Sequence, residues 1–224
     1  MKVNRHTSHP SAFISSTFID LQDERASVAE RLQENGLNVN ALDVKPATNN
    51  TSRTEILRGI RESDFVILII GDRFGSIVPK ITDSSSISVT WWEYKKAVAF
   101  GKPVIACFQN REYFNTEHHD DRSDNLYTKK RRLFDRFKKM ITEKHNPAYF
   151  KDSYDLAEKI QHCLIPTYRA GVESVNRKNS VLTQTVSRLE AENDTLKQQL
   201  ANSKKTEVNP FSGGILGGLG RLNK

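Results

Sequence analysis

A turn of hydroxyl side chains near the start of the chain is the first candidate for chemistry. Residues 13–25 read FISSTFIDLQDER, so an apolar strand runs through Ser15, Ser16 and Thr17 into a charged amphipathic helix. The N-terminus of a helix offers free backbone N–H groups and the positive end of a dipole, which suits an anion such as a phosphate. The simpler interpretation is that Ser16 or Thr17 only caps the helix, and the spacing alone favours this cap.

A second loop of interest follows the most apolar strand. Residues 65–70 read FVILII, a continuous apolar run that is typical of a strand covered on both faces at the centre of a parallel sheet. Residues 71–75, GDRFG, leave its carboxyl end. Ligands of doubly wound sheets bind outside the carboxyl ends of the strands. With the strand order 2-1-3-4-5, this loop and the hydroxyl turn lie side by side.

Three ordered blocks give the chain a family resemblance. They are FISSTFIDLQDER at 13–25, SDFVILIIGDRFG at 63–75, and SVTWWEY at 88–94 with GKPV at 101–104. Over residues 11–108 the chain resembles a poorly characterised domain family often found ahead of NTPase and repeat modules in signalling proteins. That family resembles Toll/interleukin-1-receptor (TIR) domains and nucleoside deoxyribosyltransferases. Those two groups share a flavodoxin-like sheet, and their enzymatic members use one glutamate to break an N-glycosidic bond.

The resemblance implies that Glu93 is the catalytic residue. It matches Thr90-Trp91-Trp92-Glu93 to the pattern in which the nucleotide-cleaving relatives carry their glutamate. Cleavage of the bond from ribose C1′ to a base develops positive charge, which one carboxylate can stabilise or trap covalently. The tryptophans could stack on the base, and the hydroxyls and Arg73 could hold phosphates or ribose. The expected nucleotide-binding residues are Ser15, Ser16, Thr17, Phe18, Gly71, Arg73, Phe74, Thr90 and Trp91.

Each of these roles has a plainer alternative. A glutamate in the first turn of a helix favours the dipole, one of the two tryptophans must face the core, and Arg73 could pair with Asp20 or Glu24. One departure from the relatives also matters. Deoxyribosyltransferases carry an acidic residue a few positions before their glutamate, where this chain has Ile87 and Ser88. This departure argues against deoxyribosyl transfer and favours hydrolysis of NAD or a related nucleotide.

The composition narrows the class of protein. The chain has 224 residues and an apolar content of 37%, which is low for a wholly globular chain. It has no run of about 18 apolar residues and a polar N-terminus, so we expect neither a membrane span nor a secretory signal. Its two cysteines, Cys107 and Cys163, predict reduced thiols in a cytoplasm. The adjacent ligands of His118-His119-Asp120-Asp121 point apart, so no metal is expected. No cofactor is expected either.

The alternation of strands and helices predicts an α/β domain with a flavodoxin-like parallel sheet and helices on both faces. We expect a flexible N-terminus at 1–10, the α/β domain at 11–168 and a mobile loop at 76–87. The predicted strands span 12–15, 37–42, 65–70, 104–108 and 148–150. The predicted helices span 18–35, 51–61, 90–100, a basic segment, and 155–164, which Pro166 would end.

Nearly all of the net charge of +7 lies in that basic segment. Residues 122–144 contain nine basic and three acidic residues, a net charge of +6. Such a patch could bind nucleic acid or another polyanion. The solvated face of an amphipathic helix is the favoured interpretation, because no aromatic platform interleaves the charges. The opposite, apolar face consists of Leu133, Phe134, Phe137, Met140 and Ile141.

A heptad repeat predicts a leucine-zipper coiled coil over residues 172–202. One core position repeats as Val175, Leu182, Leu189 and Leu196, and the other as Val172, Asn179, Val186, Asn193 and Leu200. A core asparagine is tolerated when two copies face each other, so the pattern favours a parallel homodimer. Glu192 and Lys197 stand where a pair between chains would form, which is worth about 0.5 kcal/mol.

The last segment, 203–224, is rich in glycine but keeps several apolar side chains. Exposed apolar residues in a flexible tail are typical of a docking site for a protein partner. A disordered end without a role is the alternative.

These patterns support two hypotheses of function. The first is a cytoplasmic TIR-like effector, held as a dimer or larger oligomer by its zipper, that cleaves NAD or a related nucleotide at Glu93. The resemblance associates such a chain with bacterial stress or antiphage defence. The second is a non-enzymatic adaptor that binds a nucleotide signal or a protein and oligomerises through its coiled coil. Nucleic-acid binding through residues 122–144 is a weaker third.

Overall fold

The computed structural model describes residues 9–40, 52–113 and 126–207. Within these ranges the strands are β1 (Ser11–Ser16), β2 (Asn38–Asn40), β3 (Phe65–Ile70), β4 (Val104–Gln109) and β5 (Ala148–Phe150). The α-helices are α1 (Gln22–Glu34), α2 (Ser52–Glu62), α3 (Pro79–Thr82), α4 (Val89–Ala99), α5 (Tyr127–Lys144) and α6 (Ser153–Glu207). A short 3-10 helix spans Arg111–Tyr113. The predicted alternation of strands and helices is therefore confirmed.

The strands form one parallel sheet with the order β2-β1-β3-β4-β5. This is the predicted flavodoxin-like order. The central strand is β3, in which Ile67 lies beside Ile14 of β1 and Ile105 of β4. Every residue of β3 is buried, as expected for a strand covered on both faces. Because β1 and β3 are neighbours, the loops that leave their carboxyl ends start side by side.

The side chains of β3 enter a core on each face of the sheet. On one face, Ile67 packs with Leu32 of α1 and Ile160 of α6. On the other face, Leu68 packs with Phe137 of α5 and with residues of α4. Successive side chains of a strand point to opposite faces, so one apolar run serves both cores. The result is a three-layer domain with the sheet between two layers of helices.

The predicted end of the last helix was wrong. Pro166 lies inside α6, which continues to Glu207. A proline in a helix interior removes one backbone donor and costs about 3 kcal/mol. Helix propagation is cooperative, and the sequence after Pro166 is rich in residues that favour helix, so the helix continues through it.

The predicted loop at 76–87 contains one helical turn, α3. Pro79 occupies its first position, where the missing N–H of proline costs no hydrogen bond. Four other predictions fall wholly or partly on residues outside the described ranges: the flexible N-terminus at 1–10, the end of the second strand beyond Asn40, the His118–Asp121 segment and the tail from 208 onward.

The chain divides into two compact units between Val172 and Glu173. In the second unit, the described part of α6 is a helix with exposed apolar side chains.

The predicted basic helix is α5, and its inward residues Phe134, Phe137 and Ile141 are buried. Among the described helices, none has both the length and the apolar content that crossing a membrane requires.

The contact between Trp91 and Phe137 predicts how strongly α5 is held in the domain. Their rings stack with centroids 5.2 Å apart, and Phe137 is fully buried. We expect Phe137→Ala to lower the free energy of unfolding by about 3–5 kcal/mol, because it removes apolar contact and leaves a cavity. Urea unfolding followed by tryptophan fluorescence measures this, since both tryptophans of the chain lie in α4.

The matched control is Tyr154→Ala, at an aromatic side chain that is 68% exposed. It is expected to change the free energy of unfolding by about 0.5 kcal/mol or less. Equal losses in the two variants would contradict the packing described for Phe137.

Candidate functional site

The centre of the site is a hydrogen bond between a strand and a helix. Ser15 Oγ near the end of β1 donates to Glu93 Oε2 of α4 over 2.5 Å. Ser15 is fully buried, and Glu93 is 6% exposed. The hydroxyl turn and the carboxylate that the sequence predicts at one edge of the sheet are thus in direct contact.

Burial dominates the acidity of Glu93. It raises the pKa of the carboxyl to about 7, because the charged form loses its hydration. The hydrogen bond from Ser15 and the positive charge of Arg25 oppose this increase. A carboxyl with this pKa changes its charge near neutral pH, which is the range in which an acid or a base is most useful to an enzyme.

The position of Glu93 in α4 corrects one interpretation of the sequence. Ser88 caps the helix by accepting a hydrogen bond from the backbone N–H of Trp91. Glu93 is therefore the fifth residue of α4, and the first turn of this fully described helix has no acidic residue. The effect of the helix dipole falls off within the first turn, so the dipole does not explain this glutamate.

A glycine lets three parts of the site approach one another. Gly75, in the loop after β3, has a φ of +87°. A Cβ atom there would lie 2.9 Å from Thr17 Cγ2 and 3.6 Å from Thr90 Oγ1. Only glycine adopts this conformation without strain and leaves room for Thr17. The loops after β1 and β3 and the start of α4 thus lie together.

The hydroxyl turn does not cap α1, so that prediction was wrong. The helix begins at Gln22, and its N-cap residue Leu21 makes no capping hydrogen bond from its side chain among the described residues. Ser16 Oγ instead donates to the carbonyl of Thr17 and accepts from Arg25 Nη1. The intervening loop separates the hydroxyls from the free N–H groups of α1, which weakens the expected anion site.

The loop after β1 also covers the end of β3. A Cβ atom at Gly71 would lie 2.9 Å from Asp20 Oδ2, so this carboxyl rests against the backbone of a residue that was expected to bind a nucleotide. Burial raises the pKa of Asp20, and the charge of the half-buried Arg73 opposes the shift. Among the described residues the two buried carboxyl oxygens of Asp20 have no hydrogen-bond partner, so the pairing of Arg73 with Asp20 stays a prediction.

The aromatic candidates differ in accessibility. Phe74 and Trp91 are 1% and 6% exposed and lie in the core with Phe137, on which Trp91 stacks. Trp92 is also buried, with Arg53 over its ring. Both tryptophans thus face the core, where the sequence required only one. Contact of Phe74 or Trp91 with a base would require displacement of core side chains. Phe18 is 52% exposed and needs no such change.

A cavity of about 370 Å³ opens at the same edge of the sheet. It lies between the loop after β1, the start of α1 and the ends of β4 and β5. As the described residues define its lining, Glu93 and Ser15 do not belong to it. The lining is rich in carboxylates and consists of Ile19, Asp20, Gln22, Asp23, Glu24, Gln109, Tyr113, Lys151, Asp152 and Ser153. The hydrogen-bonded pair of Glu93 and Ser15 therefore lies at the same edge of the sheet as the cavity, but it does not line the cavity.

Arg25 is the site residue that the sequence interpretation missed. It is 8% exposed, although it lies on a charged helix. The sequence spacing could have indicated this burial, because Arg25 follows Leu21 by four residues and precedes Val28 by three, which puts the three residues on one helix face. A cation on the inward face of an amphipathic helix is unusual and points to a buried partner.

Other nucleophiles and metal ligands do not form a competing centre in the described ranges. Cys107 is buried, and burial raises its pKa to about 12, so its thiol stays protonated at neutral pH. Among the residues that the structure describes, no group of three or more His, Cys, Asp or Glu side chains could hold a metal ion.

Comparison with known proteins gives a family and similarities to several solved structures. A model of a domain of unknown function, DUF4062, matches residues 11–165. Among solved structures, the chain is similar to the CMP N-glycosidase BcmB of Clostridium botulinum, with 15% identity and a TM-score of 0.38. It is also similar to TIR domains of the activated Roq1 resistosome that recognises the effector XopQ, with 12% identity and a TM-score of 0.42. Each match covers 69% of this chain and 99% of the other. No curated protein gives a significant match.

The buried carboxyl predicts a dependence of stability on pH. The pKa of Glu93 is 4.5 in an unperturbed chain and about 7 in the fold. Between these values the native state binds more protons than the unfolded state, so the free energy of unfolding falls as pH rises. Above the pKa that Glu93 has in the fold, the native state carries the buried charge, and the free energy of unfolding stays lower by the full cost of that charge. We expect Glu93→Gln to gain about 3 kcal/mol relative to the parent between about pH 4.5 and pH 8.

Urea unfolding across this range measures the gain. The control is Glu30→Gln at an exposed glutamate of α1, for which we expect a constant difference from the parent. A difference between Glu93→Gln and the parent that does not change with pH would show that Glu93 is not buried as an acid.

Proposed function

The chain belongs to the DUF4062 family, and on this premise we propose that it cleaves the N-glycosidic bond of NAD or a related nucleotide with Glu93 as the catalytic residue. The observation that supports the proposal most is the buried Glu93 carboxyl, held by Ser15 at the carboxyl edge of a parallel sheet. That edge is where doubly wound folds bind their ligands. The resemblance of the sequence to nucleotide-cleaving relatives supplies the reaction.

The chemistry requires one ionised carboxylate. In NAD the bond from ribose C1′ to the nicotinamide nitrogen breaks, and its electron pair leaves with the base, which becomes neutral nicotinamide. The positive charge that develops at C1′ is stabilised by Glu93, either through space or through a transient ester. Water then adds at C1′ and releases its proton to solvent. The products are nicotinamide, ADP-ribose and a proton.

Burial of Glu93 implies that access is controlled. At 6% exposure the carboxylate cannot meet a nucleotide unless neighbouring groups move. The segment between β3 and α4 is the candidate for this movement, because Gly75 lies there next to Thr17 and to Thr90 at the start of α4. We propose that assembly of several chains opens or completes the site.

The second unit supplies a surface for such assembly. The apolar heptad positions of α6 in this unit are exposed, from 52% at Val186 and Leu189 to 58% at Leu182, Leu196 and Leu200. An unpaired apolar seam of this length is unfavourable in water and is covered when helices associate. Asn179 and Asn193 at one core position favour a second copy of this chain in parallel register. We therefore propose a parallel dimer through residues 172–202.

The adaptor remains the second candidate function. In that case the α/β domain, over 11–168, binds a nucleotide signal or a protein without turnover, and the tail recruits a partner. The buried state of Glu93 favours this alternative as long as no condition exposes the carboxylate. A role in bacterial stress or antiphage defence belongs to the enzymatic proposal, and a cytoplasmic location belongs to either form.

Release of nicotinamide tests the enzymatic function. Purified protein, dilute and concentrated, is incubated with NAD, and nicotinamide is quantified by chromatography. We expect release by the parent and a loss of about 100-fold or more in Glu93→Gln, because the replacement removes the charge that stabilises C1′. Glu30→Gln, at an exposed position on α1, is the matched control and is expected to keep full activity.

Two outcomes would decide against the enzyme. Equal release by the parent and Glu93→Gln would assign any turnover to another group. Absence of turnover at every concentration and with several nucleotides, together with saturable nucleotide binding by calorimetry, would support the adaptor.

Cross-linking tests the proposed dimer and its orientation. Val175→Cys, in a Cys163→Ser background, places one thiol near the start of the seam. In a parallel dimer the two copies of residue 175 face each other, so mild oxidation is expected to link most of the protein into dimers. An antiparallel pair would bring residue 175 near residue 196 of the other copy, and Val175→Cys alone would then stay unlinked.

Leu189→Glu is the matched variant, which is expected to prevent association. It puts a charge at a core position that is 52% exposed in the single chain, and it is expected to give monomers by light scattering. If the proposal of activation by assembly holds, nicotinamide release falls with it. Monomeric parent protein at high concentration would contradict the dimer without bearing on Glu93.

A further inference from the structure

Arg25 is a buried cation beside the candidate site. It lies in the first turn of α1 and is 8% exposed. A charged side chain loses several kcal/mol of hydration on burial, so its burial requires compensating charge or hydrogen bonds. The inward position of Arg25 therefore needs an explanation that the packing of α1 alone does not give.

The contacts of Arg25 lead to the end of β1. Its Nη1 donates to Ser16 Oγ over 2.8 Å, and Ser16 Oγ donates in turn to the carbonyl of Thr17 over 2.9 Å. Ser15, the next residue along β1, donates to Glu93. A single guanidinium thus fixes the orientation of the hydroxyl turn from which the hydrogen bond to Glu93 arises.

The charge of Arg25 also acts on Glu93 directly. Burial favours the protonated carboxyl, and the positive charge of Arg25 favours the carboxylate. Five other charged or titratable groups on the described elements around α4 have contacts elsewhere. Arg53 pairs with Asp83, Arg58 with Glu55, and Arg131 with Asp72, while Lys96 lies over the ring of Trp92 and His145 contacts Tyr94.

We propose that Arg25 is a positioning residue of the site: through Ser16 it holds the turn that carries Ser15, and its charge favours the ionised form of Glu93 that bond cleavage requires. The catalytic part of this role rests on the proposed function of Glu93. The electrostatic part rests on the burial of both groups and on the hydrogen bonds that tie Arg25 to Ser16 and Ser15 to Glu93, and it can be tested without turnover.

The primary experiment is a titration of Glu93 followed by ¹³C NMR with glutamate labelled at the carboxyl carbon. Glu93→Gln identifies the signal by its absence. In Arg25→Met the titration midpoint is expected to rise by about one pH unit, because an opposite charge no longer stabilises the carboxylate. Arg25→Lys keeps a positive charge and is expected to stay closer to the parent.

Two further variants separate charge from structure. Arg31 lies on the same helix and pairs with Glu34. Arg31→Met removes this cation and is expected to leave the Glu93 midpoint unchanged. Arg25→Gln is neutral but can still donate to Ser16, so it takes the place of Arg25→Met if that variant does not fold. Neutral variants whose midpoint stays within about 0.3 pH unit of the parent would overturn the proposal.

Activity gives the second readout. If the ionised carboxylate is required, the acid limb of kcat/KM moves upward with the NMR midpoint. Nicotinamide release by Arg25→Met is then expected to fall about fivefold near pH 7 and to recover near pH 9. A uniform loss at all pH values would indicate a merely structural role and overturn the positioning role. If the Glu93 midpoint shifts in Arg25→Met but the parent protein shows no turnover, the electrostatic contact is upheld and the proposed function of Glu93 is rejected.

Discussion

One buried carboxyl group sets the conditions for the rest of the site. Glu93 has lost most of its contact with water, and a carboxylate in that environment is unstable unless hydrogen bonds or a cation replace the hydration. Ser15 provides the hydrogen bond and Arg25 the positive charge. Because these groups belong to α4, β1 and α1, the three elements must meet at one end of the sheet.

The parallel sheet makes that meeting possible. Strands that run in one direction deliver their following loops to the same edge, and the order β2-β1-β3 puts two of those loops next to each other. Gly75 then permits the close approach of Thr17 and Thr90. The aromatic residues that the sequence offered for ligand binding serve a different need: Phe74 and Trp91 hold α4 and α5 against the sheet. The polar part of the site is thus supported by an apolar core directly beneath it.

The second unit follows a different physical principle from the first. In the α/β domain, apolar side chains are buried within one chain, whereas the heptad positions of α6 after Val172 are half exposed. In a single chain these apolar side chains stay in contact with water, which is unfavourable. An identical helix can cover them, with the two core asparagines paired. The closed site and the exposed seam are the two observations behind the proposal of activation by assembly.

The sequence by itself determined the features that depend on neighbouring residues. The apolar run at Phe65–Ile70 specified the central strand, the alternation of elements specified the parallel sheet, and the blocks around Ser15 and Glu93 indicated which edge to consider. Only the tertiary structure decided that Ser15 and Glu93, 78 residues apart, share a hydrogen bond, that Arg25 turns inward, and that α6 continues through Pro166. Periodicity and caps report local preferences, but burial and charge pairing depend on which distant elements meet, and that is fixed only when the whole sheet is assembled.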